Sequence, residues 1–164
     1  MVESQRLLSR PEEEKALFYL QIKEVYAIKC IVNTITLKWL EYAKADLEAA
    51  EVLTKSGKTS HSYQLAILHC HQAIEKILKT WMVSKNEVPK RIHDLVKLAQ
   101  DADIKISERS LKYISELYPH YQPARYPDIS YQQTVLKYDS NKAQYHLGKT
   151  KELFRWLEKK ILRK

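Results

Sequence analysis

Glycine is almost missing from this chain: there are two in 164 residues, Gly57 and Gly148. Phosphate-cradling loops need clustered glycines. The Gly-Lys-Thr inside Lys55-Ser56-Gly57-Lys58-Thr59 has neither the upstream glycine nor the preceding strand such a loop requires. Cysteine is equally scarce. Cys30 and Cys70 sit in apolar-rich segments and suggest no disulfide framework, so a reducing cytoplasm is the expected compartment. No apolar run approaches the roughly 18 residues of a membrane span, so no membrane partner is expected. The N-terminus lacks the basic-then-apolar layout of a secretory leader. Metal-ligand spacings such as HExxH, CxxC or facing Glu-x-x-His pairs are also absent. His69-Cys70-His71 does not replace them, because residues two apart on a helix point about 200° apart. His71 and Glu75 share a face, but two ligands do not make a site. No metal and no cofactor are expected, and His69 and His71 read as a surface or interface pair.

With few glycines and prolines, 45% hydrophobic residues and abundant Lys, Glu, Leu and Ala, the composition favours an all-α protein. The length suits one domain with a real core. Basic residues number 28 against 20 acidic ones, a formal net charge of +8, and this excess suits an acidic partner such as RNA or a nucleotide. Much of it lies in Lys149, Lys151, Arg155, Lys159, Lys160, Arg163 and Lys164, where a helix C-terminus favours cations whatever the function.

Residues 1–10 read as a tail, and Ser9 with Pro11-Glu12-Glu13-Glu14 reads as a helix start. From Leu17 to Thr36 the pattern fits both a strand-like alternation and a helical stripe; helix is preferred because no partner strand is visible. Leu40, Ala43, Leu47 and Ala50 define an amphipathic helix from about Leu37 to Lys55, ended by Gly57 as a left-handed cap. Ile67, Cys70, Ile74, Ile77 and Trp81 define the central helix, Ser62 to Ser84. A connection with Pro89 and a short helix from Ile92 to Asp101 follow. Ser107 caps the next helix, with Leu111, Ile114 and Leu117 inward. Asp139 or Ser140 caps the last, where Ala143, Leu147, Thr150, Phe154, Leu157 and Ile161 form one stripe. The expectation is an antiparallel up-and-down bundle of four to five helices, residues 36–164, preceded by an extension, residues 1–35.

Between the last two helices lies Tyr118-Pro119-His120-Tyr121-Gln122-Pro123-Ala124-Arg125-Tyr126-Pro127-Asp128. Its three prolines should interrupt the helices. It gathers aromatics, a guanidinium, an imidazole and a carboxylate, a chemical variety that plain linkers lack. Metal-free RNA cleavage needs a base for the 2′-hydroxyl proton and a cation for the phosphorane, and arginine with histidine supplies both.

Four segments resemble the HEPN domain family. Trp39-Leu40-Glu41-Tyr42-Ala43-Lys44-Ala45-Asp46-Leu47-Glu48-Ala49-Ala50 resembles its W-x-x-x-A-x-x-D-L-x-x-A pattern. His71-Gln72-Ala73-Ile74-Glu75-Lys76-Ile77-Leu78-Lys79 resembles Q-Q-A-x-E-K-x-L-K. Pro89 to Leu98 resembles P-x-x-x-H-D-L-x-x-L, and Ala124-Arg125-Tyr126-Pro127-Asp128 is similar to A-R-Y-P-D. The order is that of the family, over roughly residues 37–163. The resemblance implies an antiparallel bundle, commonly a homodimer. It implies either a nucleotide- or RNA-binding partner of a minimal nucleotidyltransferase in a toxin–antitoxin-like pair, or a metal-independent endoribonuclease toxin. A structural dimerisation module is the remaining alternative. Ligand-binding candidates are Arg125, Tyr126, Asp128, His93, Glu75 and Lys76. The ribonuclease branch carries Arg-x(4–6)-His, and none of the six histidines has an arginine at that spacing. Tyr131 stands where the histidine would fall, and a phenol near pKa 10 is a poor base at neutral pH. His120, five residues before Arg125, reverses the order. Arg125, His120 and Tyr131 are thus the catalytic candidates, and the signature itself is missing.

Overall fold

Thr59 starts the central helix. Its hydroxyl accepts from the Ser62 amide at 3.1 Å while the Ser62 hydroxyl accepts from the Thr59 amide at 3.1 Å, a reciprocal capping box three residues wide. The computed structural model describes residues 11–126, 128–129 and 137–163, without the side chains of residues 12, 13, 15, 16, 18, 19, 22 and 25–32. Five α-helices are present among them: α1 (Glu12–Ser56), α2 (Ser60–Ser84), α3 (Leu95–Asp101), α4 (Glu108–Leu117) and α5 (Ser140–Leu162), with a 3-10 turn at Tyr118–His120. The expected tail at residues 1–10 lies outside the described residues. The chain divides into two units, Met1–Ile35 and Thr36–Lys164. In the first, the described Leu17 and Leu20 are exposed.

The second unit is an all-α bundle, as the periodicity predicts. α2 is buried along most of its length, from Ala66 to Val83, and packs on α5. Leu40, Ala43 and Ala50 of α1 join Ile67, Ile74, Ile77 and Leu78 of α2 and Phe154, Leu157 and Ile161 of α5 in one core. Each buried Leu, Ile or Phe side chain among them contributes about 1.5–3 kcal/mol on leaving water. α3 packs on α2, where the Trp81 indole donates to the Ala102 carbonyl at 3.0 Å. Ion pairs between Lys151 and Glu51 and between Lys44 and Glu158, each 2.6 Å, tie the rim of α5 to α1.

Several local expectations are corrected. The helix boundary expected near Thr36–Leu37 is absent, and one helix runs Glu12–Ser56. α3 begins at Leu95, not Ile92, because Asp94 caps it by accepting from the Lys97 amide at 2.9 Å. This leaves His93 in the connection. In α4, Leu111 is 39% exposed and Tyr113 takes the inward place. The Tyr113 phenol meets the Thr150 hydroxyl at 2.6 Å and donates to the His146 carbonyl at 2.9 Å. The helix ends at Leu117, as the prolines lead one to expect, and residues 118–125 form a run of tight turns. Pro119 opens the 3-10 turn, where its missing amide costs nothing, and Arg125 and Tyr126 then donate backbone bonds of 3.0 Å to the Gln122 carbonyl.

Gly57 does not have a left-handed backbone. It is needed for close approach instead: a Cβ there would lie 2.4 Å from the Leu53 carbonyl oxygen. At Gly148, inside α5, a Cβ meets nothing within 4 Å. Gly57→Ala should therefore lower the unfolding free energy by about 1–3 kcal/mol. Gly148→Ala should raise it by about 0.5–1 kcal/mol, through helix propensity alone. Denaturant titration of the two variants checks this, and equal effects would contradict it.

Candidate functional site

Tyr121 follows the 3-10 turn and is buried. Its ring stacks with His71 of α2 at 4.6 Å between centroids and with His93 of the α2–α3 connection at 4.9 Å. Its hydroxyl accepts from Arg125 Nη1 at 2.7 Å. The spacing of four between Tyr121 and Arg125 follows from the tight turn around Gln122. The whole turn is held to α2 by Gln64, whose amide donates to the Pro123 carbonyl at 3.1 Å. Burial raises the Tyr121 phenol and the Arg125 charge pulls it back, with the net shift upward. Tyr121 therefore keeps its proton at neutral pH and accepts from Arg125 as a neutral hydroxyl.

In front of Tyr121 lies a pocket of about 630 Å³, lined by residues that include His93, Asp94, Tyr118, Tyr121, Arg125 and Tyr126. Tyr126 is 50% exposed. The pocket thus combines aromatic faces, one guanidinium, one imidazole and the Asp94 carboxylate, which also caps α3. Behind it is a buried charge pair: Lys79 Nζ donates to Glu75 Oε1 at 2.8 Å, with Glu75 8% and Lys79 6% exposed. His93 Nδ1 lies 3.2 and 3.1 Å from the two Glu75 oxygens. His71 Nδ1 is 3.9 Å from Glu75 Oε2, too far for a hydrogen bond, and neither ring nitrogen of His71 has a hydrogen-bond partner among the described residues.

Of the residues singled out from sequence, His93, Arg125 and Tyr126 come together in the pocket wall. Glu75 stands one hydrogen bond behind His93. Lys76 lies elsewhere: with His69 it pairs with Asp46 of α1, His69 Nδ1 at 3.0 Å from the carboxylate. Burial would raise the Asp46 carboxyl, but hydrogen bonds from His69 and Lys76 outweigh it and hold it below its ordinary value. Asp128 is exposed, and Arg125 bonds to Tyr121 rather than to it. Tyr131 lies outside the described residues. His120 is buried, its Nδ1 3.1 Å from the Tyr138 hydroxyl and its ring 4.9 Å from His146, and it does not line the pocket. His71 is fully buried while His69 is partly exposed, so His71 does not belong to the expected surface or interface pair. Tyr121 and Lys79 were missed, although the spacing of four in both Glu75–Lys79 and Tyr121–Arg125 could have found them. No group of three or more metal-ligating side chains is placed to hold an ion, and no helix is long and apolar enough to cross a membrane, among the described residues.

Fold and site define a helical-bundle protein with a polar, aromatic pocket closed by a proline-rich turn. A family model for the HEPN domain matches residues 36–161, and the chain belongs to that family. Its fold is similar to that of a solved Thermus thermophilus protein, TT1696, at 24% identity and a TM-score of 0.65, over 76% of this chain and 97% of that one. It is also similar to a solved archaeal HEPN homologue at 24% identity and a TM-score of 0.60, over 77% and 97%. No curated protein matches the chain.

Burial lowers His71, His120 and His146 from 6.5 to about 4 each. Each ring stays neutral in the folded chain while the unfolded chain, with histidines near 6.5, takes up protons. Stability from these groups is complete above about pH 6.5 and is lost as the pH falls toward 4. Thermal melts across that window should show Tm falling on acidification, by roughly 2–4 °C for each kcal/mol lost. A constant Tm would contradict the assignment.

Proposed function

We propose that this HEPN protein binds a nucleotide or RNA in the pocket between the α2–α3 connection and the proline-rich turn. It does so as a cytoplasmic homodimer working with a minimal nucleotidyltransferase, in a toxin–antitoxin-like pair. One observation carries the binding site: His93 and Arg125, 32 positions apart in the sequence, line the same pocket with Tyr118, Tyr121 and Tyr126. Guanidinium forks suit phosphate oxygens, and tyrosine faces suit bases irrespective of sequence. The net charge of +8 favours an anionic ligand. Burial and mutual pairing of Arg125, Asp128 and His93 would favour the dimerisation-module alternative; all three are exposed, which favours the binding reading.

Calorimetric titration with nucleotides and short RNA tests the reading. Arg125→Ala should weaken binding by roughly tenfold or more, since a hydrogen bond to a charged group contributes about 1.5–3 kcal/mol. Arg125→Lys should not restore it fully, because an ammonium lacks the planar fork. Unchanged affinity in Arg125→Ala would move the ligand elsewhere.

The endoribonuclease reading keeps one specific support. The Arg-x(4–6)-His signature is absent from the sequence, yet a carboxylate-bound histidine and an arginine share the pocket in space. Induced expression followed by inspection of total RNA separates the two. Growth arrest and RNA fragments that disappear in both His93→Ala and Arg125→Ala would support the enzyme; a harmless wild type would exclude it.

A further inference from the structure

A carboxylate only accepts hydrogen bonds, so whichever ring nitrogen of a histidine faces it must carry the proton. Glu75 sits with one oxygen on the Lys79 ammonium at 2.8 Å and both oxygens within 3.2 Å of His93 Nδ1. Glu75 and Lys79 lie four apart on α2, and both are buried, so the pair cannot turn away to water. His93 is not part of α3. Its ring is placed by Glu75 at one edge and by the stacked Tyr121 ring at 4.9 Å on its face. The side chain is 54% exposed and lines the pocket, so the edge opposite Glu75, which bears Nε2, is the edge left for a ligand.

We propose that Glu75, charge-balanced by Lys79, is a positioning residue that fixes His93 with the proton on Nδ1 and presents Nε2 to the pocket as a hydrogen-bond acceptor. The ligand then needs two adjacent features: an anionic group for Arg125 and a hydroxyl donor for His93. The two groups are separated by one side chain, since Arg125 bonds to the hydroxyl of the same Tyr121 whose ring carries His93. A ribonucleoside 3′-phosphate, with its 2′-hydroxyl beside the phosphate, meets both demands. Its 2′-deoxy counterpart meets only one and leaves Nε2 without a partner. This inference rests on the nucleotide reading of the pocket and adds to it a choice between ribose and deoxyribose, made from within the core by Glu75.

Two measurements on the full chain test it. Long-range proton–nitrogen spectra, taken where the ring is neutral, should show His93 with a protonated Nδ1 and an unprotonated Nε2. Titration should give adenosine 3′-phosphate roughly threefold to tenfold tighter binding than 2′-deoxyadenosine 3′-phosphate, the worth of one neutral hydrogen bond. In the double variant Glu75→Gln, Lys79→Met, which removes both charges at near-constant volume, the amide can donate as well as accept. The tautomer preference and the ribose preference should then fall together while deoxyribose binding persists. A proton on Nε2 in the wild type, or equal binding of the two nucleotides, would overturn this inference alone. Binding of neither would overturn the nucleotide reading, and the ribose preference with it.

Discussion

Tyr121 is the side chain on which the site depends. Its ring stacks with two imidazoles from different parts of the chain, and its hydroxyl holds Arg125. Stacking of this kind contributes about 0.5–1.5 kcal/mol beyond the area buried. Position matters more here than energy. Arg125 is an exposed side chain on a turn, with much rotamer freedom to lose. A single bond from Nη1 fixes its direction and leaves the remaining N–H donors of the guanidinium for a ligand. The turn that carries Tyr121 and Arg125 is itself secured from α2 by Gln64 and from below by His120 against Tyr138.

Behind Tyr121 the interior is unusually polar for a small bundle. His71, Glu75 and Lys79 occupy one face of α2 in positions that an aliphatic residue would fill at less risk. Removing one partner of a buried ion pair costs about 3–5 kcal/mol, whereas an apolar replacement of both is often neutral. Stability therefore gives little reason for the pair to be there. Its contact with His93 connects it to the pocket.

Much of the bundle was legible in the sequence because amphipathic helices repeat their apolar positions about every 3.6 residues. The stripe from Ala143 to Ile161 is buried at every position read. α4 was misread by choosing Leu111 over Tyr113: the pattern tolerates either, and what seats Tyr113 is a hydroxyl bond to Thr150, 37 positions away. The site was partly legible. Local motif residues pointed to His93, Arg125 and Tyr126, which share the pocket. Tyr121 was passed over because its role is made by two stacking partners brought in from α2 and the α2–α3 connection. His71 looked like a surface neighbour of His69 for a related reason. Alternate residues on a helix face opposite ways, and only the packing decides which one is inside.

The proposed place for an anionic ligand is between Arg125 and His93, against tyrosine faces. A crystal structure of the protein with bound nucleotide tests that placement most directly. The phosphate should lie on the guanidinium of Arg125, a ribose hydroxyl within hydrogen-bond distance of His93 Nε2, and the base against Tyr118 or Tyr126. A nucleotide seated away from this pocket, with Tyr121 and Arg125 undisturbed, would contradict it.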